Sequence, residues 1–92
     1  MAELGETRTL TLRYFAWVRE KIGRAEETVS VPASLTSVAE LVGWLKLQGP
    51  EYADVFARDG VIRVALDQSH VKATAPIGGA REVAFFPPVT GG

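Results

Sequence analysis

Apolar residues recur along this chain at two different spacings. Leu10, Leu12 and Tyr14 alternate with Thr9, Thr11 and Arg13, the period of two that sends one face of a strand into a core. This predicts a β-strand from Thr7 to Tyr14. From Phe15 the period lengthens: Phe15, Val18 and Ile22 stand at i, i+3 and i+7, and Gly23 can adopt the left-handed conformation that closes a helix. A short helix or helical turn is expected there. Thr28-Val29-Ser30-Val31 alternates again and halts at Pro32, which has no N–H to extend a ladder. Two strands so close in sequence predict a hairpin with a wide connection.

The best helix follows. Ser37 and Glu40 have the spacing of a capping box, and Val38, Leu41, Val42 and Leu45 form one apolar stripe, with Gly49-Pro50 expected to end the helix. Trp44 and Leu47 project off that stripe and are expected to pack under a loop around Tyr52, Val55 and Phe56, in preference to forming a partner-binding patch. After Asp59-Gly60, Ile62, Val64 and Leu66 alternate with Arg63 and Ala65 as a third strand. Asp67-Gln68-Ser69 supplies turn-forming side chains before a short returning strand at Val71, and Pro76 with Gly78-Gly79 marks another turn. Glu82 to Phe86 is the last strand, broken by Pro87-Pro88.

The order of elements is that of an α+β fold. A mixed sheet of about five strands, with one main helix packed on one face, is the compact arrangement, and an opening hairpin followed by a helix and further strands describes a β-grasp. No repeat, low-complexity tract or linker divides the chain. Residues 1–86 therefore read as one domain and residues 87–92 as an extended C-terminal tail.

Composition narrows the chemistry. In 92 residues, 47% hydrophobic and 23% charged, there is room for one small core and too much apolar content for disorder. The absence of cysteine removes disulfides, thiolate zinc sites, iron–sulfur clusters and thiol nucleophiles together. A net charge of -1 without clustered cations argues against nucleic acid. The opening Met1 to Glu6 carries two acids and no apolar segment, and no run approaches the ~20 apolar residues of a membrane span, so the cytoplasm is the expected location. His70, the only imidazole, reads as a solvated turn residue. Glu26, Glu27 and Glu40 lack partners at ligand spacing and read as surface charge and a cap, with no metal site. Gly78-Gly79 is too short for a phosphate loop.

The C-terminus stands apart. The last strand runs into Phe86-Pro87-Pro88-Val89-Thr90-Gly91-Gly92, stiffened by two prolines and finished by two residues without a Cβ. Fully extended at ~3.3 Å per residue, such a tail reaches up to ~20 Å from the sheet, far enough to enter a partner's active site. The chemistry that suits it is activation of its own α-carboxylate. Attack on the α-phosphate of ATP gives an acyl-adenylate, from which a sulfur or nitrogen nucleophile can take the acyl group as AMP leaves. Terminal glycines by themselves could equally be a frayed end. The strand, the prolines and the Gly-Gly end taken together favour the reactive tail.

The segment Glu82 to Gly92 resembles the C-terminal signature of the small, sulfur-carrying subunits of molybdopterin synthase, a ubiquitin-like β-grasp family. Tyr14-Phe15-Ala16 followed by Arg19-Glu20 and Gly23 is similar to that family's first strand and helix. Ser37-Val38-Ala39-Glu40-Leu41 and Val64-Ala65-Leu66-Asp67-Gln68 agree as well. The sequence departs at Asp67, often Asn in the family, at Ala80-Arg81, often Gly-Asp, and at Thr90, where Ser is usual.

The resemblance implies a carrier that is not a catalyst by itself. An adenylating enzyme related to ubiquitin-activating enzymes, using ATP, would convert the Gly92 carboxylate to acyl-AMP, and sulfur transfer would then give a thiocarboxylate. This chain would bind no cofactor. Inside the large synthase subunit, in a two-large, two-small assembly, Gly92 would donate sulfur to cyclic pyranopterin monophosphate. Gly91 would enter the partner's site with it, while Phe86, Pro87, Pro88, Val89 and Thr90 would line the partner interface. Strand alternation places Phe85 in the core, and a buried position on the other sheet face is the alternative for Phe86. The competing functions are a thiamine-pathway sulfur carrier, which shares the Gly-Gly end, a ubiquitin-like modifier of lysines, and a plain β-grasp interaction module.

Overall fold

Alternation puts Leu10, Leu12 and Tyr14 on one side of β1 (Thr7–Tyr14), and all three are buried. The computed structural model describes residues 6–57 and 61–88. Short helix α1 (Ala16–Ile22) follows β1 and leads to β2 (Glu26–Pro32), α2 (Val38–Leu45), α3 (Pro50–Phe56), β3 (Arg63–Leu66), β4 (Ser69–Val71) and β5 (Glu82–Phe86). The strands form one mixed sheet in the order β2-β1-β5-β3-β4. Strand β1 is antiparallel to β2 but parallel to β5, with Tyr14 opposite Phe85, and β3 is antiparallel to both β5 and β4. A parallel pair needs a long crossover, and here the whole intervening chain supplies it, so first and last strands meet at the sheet's centre.

The inward positions of these strands, among them Val31, Val64, Val83 and Phe85, join Val18, Ile22, Val38, Leu41, Leu45, Val55 and Phe56 in one core. Among the described residues the opposite sheet face has no helix and carries the alternate positions, among them Thr9, Thr11, Arg13, Arg63 and Phe86. Among the described residues no helix is long and apolar enough to cross a membrane.

Local sequence explains the helix ends. Gly23 closes α1 at φ 92° and donates its N–H to Arg19 O at 2.8 Å. Ser37 Oγ accepts from Glu40 N at 3.1 Å, as predicted, but the Glu40 carboxylate reaches one residue further out than a capping box requires and accepts from Thr36 N at 2.7 Å and Thr36 Oγ1 at 3.1 Å. Those bonds, first the one from the Thr36 backbone, hold the Glu40 carboxyl below its ordinary range. The next two orphan donors of α2 go to the loop before β5: Val38 N to Ala75 O at 3.0 Å and Ala39 N to Ala73 O at 2.9 Å. The β3–β4 hairpin turns on Asp67 and Gln68, both at positive φ, the geometry of a type I′ turn. Asp67 Oδ1 then accepts from Arg81 N and Glu82 N, each at 3.0 Å, tying that turn to the start of β5.

Several expectations are corrected. Among the described residues a third helix, α3, joins the expected short helix and main helix: Gly49-Pro50 starts it and does not terminate α2, which ends at Leu45 with Lys46 as its cap. Proline at a helix's first turn loses no bond there, and its fixed φ suits the start. Leu47 is 82% exposed, while Trp44 packs partly buried against the core. Phe15 precedes α1 in extended geometry and is 43% exposed, so it is off the buried stripe. His70 lies within β4, and its ring sits 5.1 Å from that of Phe86, tilted by 57°.

The largest correction concerns Glu27, expected as surface charge. Its Oε2 accepts from Tyr14 Oη at 2.6 Å and from Tyr52 Oη at 2.7 Å, and its Oε1 from Arg24 at 2.9 Å. One carboxylate thus joins β1, β2 and α3. Burial, then donation to Glu27, pushes the Tyr52 phenol up to about 12, and the Tyr14 phenol is shifted in the same direction for the same reasons. A folded-state pKa above the unfolded value of 10.0 means that the stabilisation is full below that pH and is lost as pH rises through the folded value. The melting temperature should therefore hold up to about pH 10 and fall between about 10 and 12. Tyr52→Phe should start lower by about 1 kcal/mol for the lost bond and fall less steeply over that range. Parallel curves for the two proteins would remove Tyr52 from the explanation.

Candidate functional site

Strand β5 sits between β1 and β3, so its backbone is held on both edges until the chain leaves the sheet. Phe85 is fully buried, stacked 6.0 Å from Tyr14 and met edge-on by Phe56 at 4.9 Å. Its carbonyl accepts from Phe15 N at 3.1 Å, and pairing with β3 ends one residue later, where Phe86 lies opposite Arg63. Pro87 and Pro88 then continue without regular structure, and like Phe86 they are half-buried. Two fixed φ angles immediately after a doubly paired strand aim whatever follows from one point on the sheet's end. Val89, Thr90, Gly91 and Gly92, named above as interface and reactive residues, lie outside the described residues.

The exit carries further side chains that the sequence reading did not assign to the site. Phe15 follows Tyr14 out of β1, and since Tyr14 points inward, alternation sends Phe15 the other way. The Arg13 guanidinium lies over its ring, 5.8 Å from the centroid, and is itself held by Glu26 at 3.8 Å and Glu82 at 3.9 Å. Ala16, next in the chain, takes φ 55°, a left-handed conformation that costs a non-glycine residue about 1–2 kcal/mol. Such strain gathers where function constrains the backbone. The signal for Phe15 was available in the strand period; that for His70 was not, because only pairing of β4 with β3 brings it to Phe86.

Among the described residues no three His, Cys, Asp or Glu side chains come together in a way that could hold a metal ion. Among the described residues that line the groove between α2 and β3, which include Val42, Phe56, Ile62 and Val64, Lys46 is the one charged side chain. What the fold provides is a rigid strand, an aromatic patch and an aimed exit.

Residues 12–92 match the ThiS family. The molybdopterin synthase sulfur carrier subunit of Escherichia coli (strain K12) is 37% identical over 79 residues, covering 86% of this chain and 94% of that protein. Small archaeal modifier protein 1 (SAMP1) of Haloferax volcanii superposes with a TM-score of 0.70 at 26% identity, over 92% of this chain and 100% of that one. A chain from the complex of subunits 1 and 2 of molybdopterin-converting factor of Helicobacter pylori shares the fold, with a TM-score of 0.56 at 21% identity over 92% of this chain and 100% of that one. The ubiquitin-like β-grasp expected from the sequence is thus the fold observed.

Proposed function

The chain belongs to the ThiS family, and we propose that it is the sulfur carrier of molybdenum cofactor biosynthesis, acting in the cytoplasm with its C-terminal glycine as the carried reactant. The observation that supports this most is the 37% identity to the sulfur carrier subunit of molybdopterin synthase, with the family match running through Gly92. In the proposed cycle a separate adenylating enzyme supplies ATP. A Gly92 carboxylate oxygen attacks the α-phosphorus and pyrophosphate leaves; sulfur at the oxidation level of sulfide, HS⁻, then attacks the acyl carbon and the bond to AMP breaks, with no change of oxidation state. The resulting thiocarboxylate enters the large synthase subunit and gives its sulfur to cyclic pyranopterin monophosphate, and water restores the carboxylate. Gly91 and Gly92 pass where a side chain would not. Phe86, Pro87, Pro88, Val89 and Thr90 contact the partner, and catalytic acid–base groups belong to that partner.

The likeness to small archaeal modifier protein 1 favours a second reading, a modifier that forms amide bonds to lysines. Both begin with an activated Gly92 and differ in the nucleophile that follows. Intact mass after incubation with ATP, the activating enzyme and a sulfur source separates them. A gain of about 16 Da, sulfur for oxygen, is expected for the carrier. Lysine-linked adducts in extract without that gain would overturn the carrier in favour of the modifier.

A further inference from the structure

The helix-free face of the sheet is unevenly charged beside the tail exit. On its β1 side the cation Arg13 is met by Glu26 and Glu82. On its β3–β4 side Arg63 stands opposite Phe86 in register, His70 lies against the Phe86 ring, and Lys72 follows two residues after His70 on the same alternation. Arg63, His70 and Lys72 are all exposed. Among the described residues neither Arg63 nor Lys72 takes part in an ion pair, and the Asp67 carboxylate of the adjoining turn is taken up by two backbone N–H groups. Continuing the β3–β4 register one step places Arg63 across from Lys72, like charges that destabilise a strand pair and bring the sheet no benefit. A chain of net charge -1 therefore gathers unneutralised cations at the rim of its aromatic patch.

We propose that this rim is an electrostatic docking edge: Phe15, Phe86 and Pro87 fit an apolar depression on the partner that receives the tail, and Arg63 and Lys72 meet carboxylates along its border. The proposal rests on the functional reading above and specifies the partner's surface chemistry. Exposed charges at an interface rim act mainly on the rate of encounter and its salt dependence. Since the reacting carbonyl must be threaded into a channel, early orientation by the rim brings the tail to the mouth before the aromatic contacts form.

The test is the association rate of the full chain with its cognate large synthase subunit, measured by stopped flow at about 20 mM and about 500 mM salt. The parent chain should associate about tenfold faster at low salt. A double variant, Arg63→Glu with Lys72→Glu, should lose about that factor at low salt and become nearly insensitive to salt. Lys46→Glu, on the helix side of the sheet, should stay within about twofold of the parent, and Arg63→Glu alone, which changes the net charge by the same amount, should be slower than Lys46→Glu; that pair separates local from net charge. A double variant as fast as the parent, or Lys46→Glu equally slow, overturns the docking edge while leaving the carrier reading intact. A parent chain that does not bind the large subunit at all overturns the carrier reading, and the docking edge with it.

Discussion

A variant lacking Gly92 should melt at the temperature of the parent chain and transfer sulfur at least about a hundredfold more slowly. The two halves of that result have separate physical origins. The core closes at Phe85, and the described cross-strand pairs of β5 are complete by Phe86, so removing the final glycine leaves all of those contacts in place. Reaction, in contrast, depends on the position of one carbonyl. One residue of fully extended chain spans about 3.5 Å, so deleting Gly92 withdraws the terminus by up to about that distance, and adding a residue beyond it displaces the reacting carbon by as much in the other direction. Misplacement of about 1 Å already costs a factor of about 10² when two reactants must meet in a near-attack arrangement. Activity would be measured by single-turnover sulfur transfer with the large subunit, after adenylation and sulfuration of each variant have been followed by mass. Full transfer by either length variant would sink the assignment of Gly92 as the reacting residue.

How far the sequence disclosed this arrangement depends on the range over which each feature is determined. The strands Thr7–Tyr14 and Glu82–Phe86 were legible to the residue, because each combines a period-two pattern with an abrupt end, a change of period at Phe15 or a proline at Pro87. Helix α3 was not. It has seven residues, too few for a periodic pattern to separate from chance, and Gly49-Pro50 reads equally as the end of one helix or the start of another. Glu27 was misread for a different reason. Its partners Tyr14 and Tyr52 lie 13 and 25 residues away, and no local pattern announces that a carboxylate in an exposed-looking hairpin strand will face two phenols. The candidate site divides similarly. The strand end at Phe86 and the two prolines after it could be read from the order of residues, but the contact of His70 with Phe86 exists only once β4 has paired with β3 and β3 with β5.

Phe85→Ala should produce the largest loss of stability of any single substitution in this chain, about 3–5 kcal/mol. Phe85 has no exposed surface, lies on the central strand, and touches Tyr14 from the sheet and Phe56 from α3. Truncation removes both ring contacts and leaves a void between the sheet and the helices that a rigid, doubly paired strand cannot collapse to fill. For a domain of this size the total is about 5–14 kcal/mol, so the loss consumes a large share of it. A fall in melting temperature of about 12 °C or more follows. Phe86, next in the chain, faces the other way, and its truncation should leave the melting temperature nearly unchanged because it is only half-buried. Chemical denaturation of both variants decides the matter: a loss below about 1 kcal/mol for Phe85→Ala would mean that the core is not centred on β5. At a temperature where Phe85→Ala remains folded, sulfur transfer per folded molecule should return towards that of the parent chain. Phe85 then anchors the strand while its neighbour faces away from the core, and the alternation of a β-strand is what keeps the two apart.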